Sequence, residues 1–276
     1  MSNIGKKLNL CGGEIEIVLH DMEESIANLI FEKIKDEGLR LQKIFNFFDP
    51  NSELSRLNKT RKMKVSDELF AVIKTCLPYC EITDGQYDIT KGKQSIERKS
   101  GKDITPLSCS YKNIIIGKNI ITLNNDDVLI DLGSVAKGYI GDCLAKFLKE
   151  EGIENAYIDL RGDLIRFGNT KEKIAIQHPR EKDKTIFLFE TANAAIATSG
   201  DYNQKYGDFE KSHIIGKKDM ISATVIAETL AEADIIATCL MVCGEENLDK
   251  FKGKKYLVID KYLNQIISQE FKNETS

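Results

Sequence analysis

The spacing of apolar residues switches between a period of two and one of about 3.6 along the whole chain, with no linker at any switch. "GEIEIVLH" (13–20) alternates apolar and charged residues, as a strand with one covered face does. "ESIANLIFEKIKDEGLRLQKIFNFF" (24–48) then takes helical spacing and runs into the turn signal "FDPNSELSRLN". "SDELFAVIKTCLPYCEITDG" predicts a helix capped by Ser66 or Asp67 and kinked or ended near Pro78. "YKNIIIGKNIITLNNDDVLIDLG" predicts three short strands, with turns at Gly117-Lys118-Asn119 and Asn124-Asn125. A helix stopped by Gly152 and a strand follow in 134–163, then strands in "KIAIQHP", "TIFLFETANAAIATSGDY" and "ISATVIAE". "TLAEADIIATCLMVCG" is a helix with a capping box at Thr229 and Glu232 and a stop at Gly244. "KKYLVIDKYLNQIISQEF" reads as a closing hairpin, and polar residues 92–110 as a surface loop. No repeat or boundary interrupts this order. The expected fold is therefore α+β: mixed, largely antiparallel sheets flanked by helices, in one compact unit over residues 1–276.

The composition narrows the function classes. Hydrophobic residues make up 42% and charged residues 30% of 276, which suits a globular protein with a real core. A net charge of -4 gives no reason to expect a nucleic-acid or anionic-membrane partner. Seven Cys without a CxxC do not form a disulfide framework; Cys76 and Cys80, and Cys239 and Cys243, each share a helix face and read as buried free thiols in a reducing compartment. No segment approaches the roughly 20 apolar residues that cross a bilayer. The opening residues also lack the apolar run of a secretory leader, so the expectation is a cytoplasmic protein, or an exported lipoprotein if a leader has been removed.

Five stretches could carry chemistry. Asp234 and Thr238 stand at i and i+4 on one helix, so both project from one face. A carboxylate and a hydroxyl are oxygen donors that suit Mg²⁺ rather than zinc; the alternative is a surface Asp and a Thr bonded back to its own helix. "DLGSVAKGY" sets Asp131, Gly133 and Lys137 at a helix start. There, free N–H groups and a mobile ammonium could receive an anion, or Ser134 could simply cap the helix. "ATSGDY" and "SHIIG" offer a glycine turn and His213, a candidate base or an ordinary hydrogen-bonded strand residue. "TDGQYDITKG" places Asp88 in a polar turn with Tyr87 available to stack on a planar ring. "DPNSELSRLN" could be no more than a helix start capped by Ser52.

In this order and spacing, "FDPNSELSRLN", "DGQYDITKG", "DLGSVAKGYIGD", "RGDLIRFG", "ATSGDY", "SHII" and "EADIIATCLMVCG" resemble the ApbE-type flavin transferases, over nearly the whole chain. The resemblance implies an enzyme that binds FAD and Mg²⁺, cleaves the pyrophosphate, and attaches FMN by a phosphoester to a Ser or Thr of an acceptor flavoprotein. Some such proteins instead hydrolyse FAD to FMN and AMP; a flavin-binding protein with little turnover is a further alternative. By matching motif positions, Asp234, Thr238 and the main-chain carbonyl of Ser134 would hold the metal. Gln86, Tyr87, Asp88, Asp131, Lys137 and Ile215 would contact FAD, and His213 would assist removal of the hydroxyl proton. Two stretches depart from the family pattern: Gly216 stands where an acid usually follows "HII", and "TKGKQ" follows the Asp88 turn in place of "TVGPL".

Overall fold

The computed structural model describes residues 2–201 and 214–275. The chain opens as a hairpin of β1 (Ser2–Leu10) and β2 (Gly13–Met22). Next come α1 (Glu24–Phe45), α2 (Glu53–Thr60), β3 (Lys62–Lys64), α3 (Asp67–Ile82) and α4 (Gly92–Lys99). β4 (Ile114–Ile116), β5 (Ile120–Leu123), α5 (Ala136–Glu150), β6 (Ala156–Asp159) and β7 (Leu164–Phe167) follow. β8 (Glu172–Gln177), β9 (Thr185–Thr191), β10 (Ala194–Gly200), β11 (Met220–Ala227) and α6 (Leu230–Cys243) lead to β12 (Lys255–Asp260), β13 (Gln265–Ile267) and α7 (Gln269–Glu274).

One eight-stranded sheet, in the order β1-β2-β6-β7-β10-β11-β12-β13, spans the unit, and each of its neighbouring pairs is antiparallel. Two small antiparallel sheets, β3-β5-β4 and β8-β9, lie outside it. The helices and large sheet share a core that includes Ile17, Phe31, Leu69, Leu144, Ile158 and Val225. α6 is its centre: twelve of its fourteen residues are buried. Burying an apolar side chain of Leu or Ile size stabilises by roughly 1.5–3 kcal/mol, so α6 is held by tertiary packing and not by a single apolar stripe. Among the described residues no helix is long and apolar enough to cross a membrane.

Several local expectations need correction. Residues 2–10 form an edge strand whose alternation is broken by Lys6 and Lys7, while Leu8 and Leu10 are buried. α4 occupies the first part of the stretch read as loop, and only Gly92 of it is buried, so it shows no apolar face in sequence. α3 runs through Pro78 to Ile82, its packing outweighing the one lost backbone bond. The third strand of residues 111–133 is reduced to a single bridge from Leu129 to Lys91, and the final hairpin ends in α7, capped by Ser268. Cys76 and Cys80 on α3 and Cys239 and Cys243 on α6 are buried free thiols. Burial pushes the Cys76 thiol up to about 12 and Cys243 to about 11, which leaves both inert as nucleophiles.

The start of α6 is fixed from outside its own sequence. Thr229 caps it, its hydroxyl accepting from the Glu232 N–H at 3.2 Å. Asp142 on α5 accepts from the Leu230 and Ala231 N–H groups at 2.7 and 2.9 Å. Asp142→Ala leaves two donors at a helix start without partners, which should lower stability by about 2–4 kcal/mol. Denaturant unfolding checks this; a midpoint equal to the parent's would mean that Asp142 does not seat α6.

Candidate active site

A cleft of about 520 Å³ opens where the chain after α1, the turns before α4 and α5, the end of β10 and one face of α6 converge. Gln86, Tyr87, Asp88, Asp131, Ser134, Lys137, Ile215, Asp234 and Thr238 all line it. His213 lies outside the described residues.

Two of its walls are turns held by side chains. Asp88 accepts from the Thr90 N–H and hydroxyl at 2.9 and 2.7 Å through one oxygen, and from the Tyr111 N–H at 2.9 Å through the other. Its carboxylate is thus spent on the turn that presents Gln86. Lys91 donates to the carbonyls of Gly85 and Gln86, closing the same turn. Tyr87 is only 4% exposed, and its hydroxyl lies 2.9 Å from Ser134 Oγ. Buried so, the ring expected to be available for stacking acts as a strut between the two turns. Asn58 grips the second turn by a reciprocal pair with the Ile130 carbonyl and N–H, both at 2.8 Å. Asp131 then accepts from the Gly133 N–H at 2.9 Å. Ser52 does cap α2, accepting from Ser55 N–H at 3.0 Å.

Ser134 is not the cap of α5: the helix begins after Val135, and the serine hydroxyl is turned to Tyr87. The Val135 and Ala136 N–H groups donate to the Leu132 carbonyl at 3.0 and 2.8 Å. Those two amides are engaged within the protein, and the helix start adds to the cleft a side chain, Lys137. The ammonium pairs with Asp163, which is 2% exposed and also accepts from the Thr198 N–H at 3.1 Å. Burial alone would lower the Lys137 pKa; the charges of Asp234 and Asp163 outweigh it and raise it, so the side chain stays cationic.

Asp234 is not a surface residue. It is 4% exposed, and one of its oxygens is buried with no hydrogen-bond partner among the described residues. Burial pushes its carboxyl up to about 7; Asp163 adds to the rise, while Lys137 and the Gly138 N–H oppose it. Thr238 Oγ1, one turn along α6, lies 3.2 Å from Ser199 Oγ on β10 and not on its own helix backbone. A carboxylate left short of a partner beside hydroxyls is a hard-oxygen donor set, which fits Mg²⁺. No three His, Cys, Asp or Glu side chains among the described residues are grouped for a metal.

Residues 11–258 match the model of the ApbE family. The chain belongs to that family. Among its relatives are the FAD:protein FMN transferase of Vibrio cholerae serotype O1, 28% identical over 71% of this chain and 68% of its own, and that of Escherichia coli K12, 28% identical over 83% and 75%. Two solved structures share its fold: the flavin transferase ApbE from Vibrio cholerae (TM-score 0.86, 24% identity, 99% of each chain) and the ApbE protein from Thermotoga maritima (0.87, 24%, 100% of each).

This ApbE family member also puts residues on the cleft that sequence reasoning missed. Ser199 lines it, and Asp163 stands behind it, paired with Lys137; both lie in motifs, "RGDLIRFG" and "ATSGDY", yet an Asp after Gly reads as a turn residue and a Ser before Gly as a loop. Cys11, Arg161, Phe48 and Lys99 reach the mouth, with the Lys99 ammonium 4.1 Å from the centre of the Phe48 ring. Only the folded chain brings them together, since Cys11 belongs to the first hairpin and Lys99 to α4. Gly216, where the family's acid is absent, has φ +80°, a left-handed conformation that glycine adopts readily.

Proposed function

We propose that the protein is a Mg²⁺-dependent FAD:protein FMN transferase. The acceptor's Ser or Thr oxygen bonds to the FMN phosphorus of FAD, the pyrophosphate P–O bond breaks, AMP leaves with that electron pair, and the hydroxyl proton passes to a base. The observation that carries the reading is the buried Asp234 carboxylate with an oxygen lacking a partner, one helical turn from the Thr238 hydroxyl, in a cleft that also holds Lys137.

Asp234 and Thr238 would hold the ion, with the Ser134 carbonyl as third protein ligand. When bound, Mg²⁺ supplies charge neutralisation of the pyrophosphate and of the leaving AMP. Phosphoryl transfer needs mainly positioning and charge from a protein, and this chain's residues supply both. Lys137 sets a fixed ammonium beside the phosphates. Gln86, Asp131 and Ile215 bound the flavin nucleotide, while Asp88 and Tyr87 keep the turns that carry Gln86 and Ser134 in place. His213 is the proposed acceptor of the hydroxyl proton. The acceptor is a flavoprotein with a Ser- or Thr-bearing segment that can enter the cleft.

The test combines the full chain, FAD, Mg²⁺ and a Thr-containing acceptor peptide. Flavin fluorescence that survives denaturing electrophoresis on the peptide, with AMP released in equal amount, is the expected result, and EDTA should abolish both. AMP without labelled peptide would assign the chain to FAD hydrolysis. Intact FAD after prolonged incubation in Mg²⁺ would leave only flavin binding.

A further inference from the structure

Lys137 shares its cleft with the Asp234 carboxylate and is directly paired with that of Asp163. The ion pair goes to Asp163, whose burial leaves little water to share the charge. Asp234 faces the same cleft, yet among the described residues one of its oxygens has no partner. Lys137 on α5 and Asp234 on α6 line the same cleft, and the two helices pack against each other. Asp163 cannot easily follow the ammonium, because its second oxygen is tied to the backbone of β10 at Thr198.

We propose that Asp163 is a positioning residue that draws the Lys137 ammonium off Asp234, so that Asp234 stays open to a divalent cation while the ammonium remains at the cleft for phosphate. The inference rests on the transferase reading and deepens it. A buried carboxylate takes the nearest available cation. Without Asp163, that cation is the chain's own lysine, and an incoming metal ion must displace it. With Asp163 in place, the lysine already has a counter-ion and the metal meets a carboxylate that still has a site to fill. The two acids and one base thus carry a net charge of -1, attractive to a dication before any nucleotide arrives.

The test is binding of Mn²⁺ to the nucleotide-free full chain, with free Mn²⁺ read by electron paramagnetic resonance. Asp163→Asn keeps an amide oxygen for the Thr198 N–H but drops the charge, and should weaken Mn²⁺ binding about tenfold or more. Adding Lys137→Met removes the competitor, so the double variant should regain the parent's affinity or exceed it. A purely structural Asp163 predicts the reverse, a double variant no tighter than the single one. Parent-like affinity in Asp163→Asn, or no recovery in the double variant, overturns the inference. Should Asp163→Asn fail to fold by thermal unfolding, Lys137→Met alone should bind Mn²⁺ more tightly than the parent, and equal affinity would overturn it. A parent chain that takes up no Mn²⁺, or Asp234→Asn that still binds it fully, removes the metal reading and this inference together.

Discussion

Asp234→Asn should lower FMN transfer by about 10³-fold and, in EDTA at pH 8, yield a protein more stable than its parent. The loss follows from removing the one charged donor of the proposed ion site. Charge stabilisation of a transferring phosphoryl group by a metal is worth several kcal/mol, and about 4 kcal/mol corresponds to three orders of magnitude in rate. The gain follows from burial. Folding raises the Asp234 carboxyl from 3.8 to about 7, chiefly by removing it from water. A carboxyl raised on folding gives its full stabilising contribution below its unfolded pKa and loses it as pH climbs through the folded one. Above pH 7 the parent therefore holds an ionised carboxylate against its desolvation penalty, while Asn holds a neutral amide that can still accept from the Gly138 N–H. Melting temperatures of both proteins in EDTA at pH 5 and pH 8 check this, with the variant's relative advantage growing toward pH 8. A constant difference would mean that Asp234 does not ionise in a buried setting; unchanged transfer would remove it from the site.

That pairing of lost activity and gained stability was not legible in sequence. Helical spacing puts Asp234 and Thr238 on one face, which is enough to associate them. It says nothing about depth, because α6 is apolar on almost every side and so points to no solvent face. Partners remote in sequence were equally hidden. Lys137 meets Asp163 across a helix, a loop and a strand, and the sequence shows only that one is basic and the other acidic. What period and caps do reveal is the set of strongly marked elements: β2, α1 and α5 each carry a run of one period, and α6 is marked by its cap at Thr229 and its stop at Gly244. β1 and α4 escape for the opposite reason, since an edge strand bearing two lysines and a helix with one buried residue have almost no apolar pattern to read. The turn at residues 131–138 looked suited to anions because glycines and a lysine met at a helix start. Two of its amides, at Val135 and Ala136, turn back to the Leu132 carbonyl, a fact of geometry that composition cannot carry.

Gly138→Ala should be the most disruptive single-methyl change near the cleft, for a reason unrelated to backbone freedom. A Cβ at this position would stand 2.5 Å from the Leu230 carbonyl oxygen and 2.7 Å from the Ala231 N and Cα. Those are backbone atoms at the start of α6, and they cannot rotate aside as a side chain would. They are also tethered: Asp142, one turn further along α5, binds the Leu230 and Ala231 N–H groups. Gly138 and Asp142 therefore act as a pair, one letting α6 approach and the other fastening it. Alanine would ordinarily favour a helix over glycine by ~1 kcal/mol, so the expected effect runs against local propensity. Overpacking typically costs about 1–3 kcal/mol, and a clash with fixed backbone belongs at the upper end. At ~3 kcal/mol the melting temperature should fall by roughly 6–12 °C for a chain of this size. Transfer should drop as well, because α6 carries Asp234 and Thr238 and a displacement near 1 Å can reduce turnover about 100-fold. The effects separate from those of Asp234→Asn, which loses activity without losing the fold. If Gly138→Ala melts with the parent and transfers FMN at the parent's rate, then α5 and α6 do not touch as closely as their backbones are placed, and the seating of α6 must come from elsewhere.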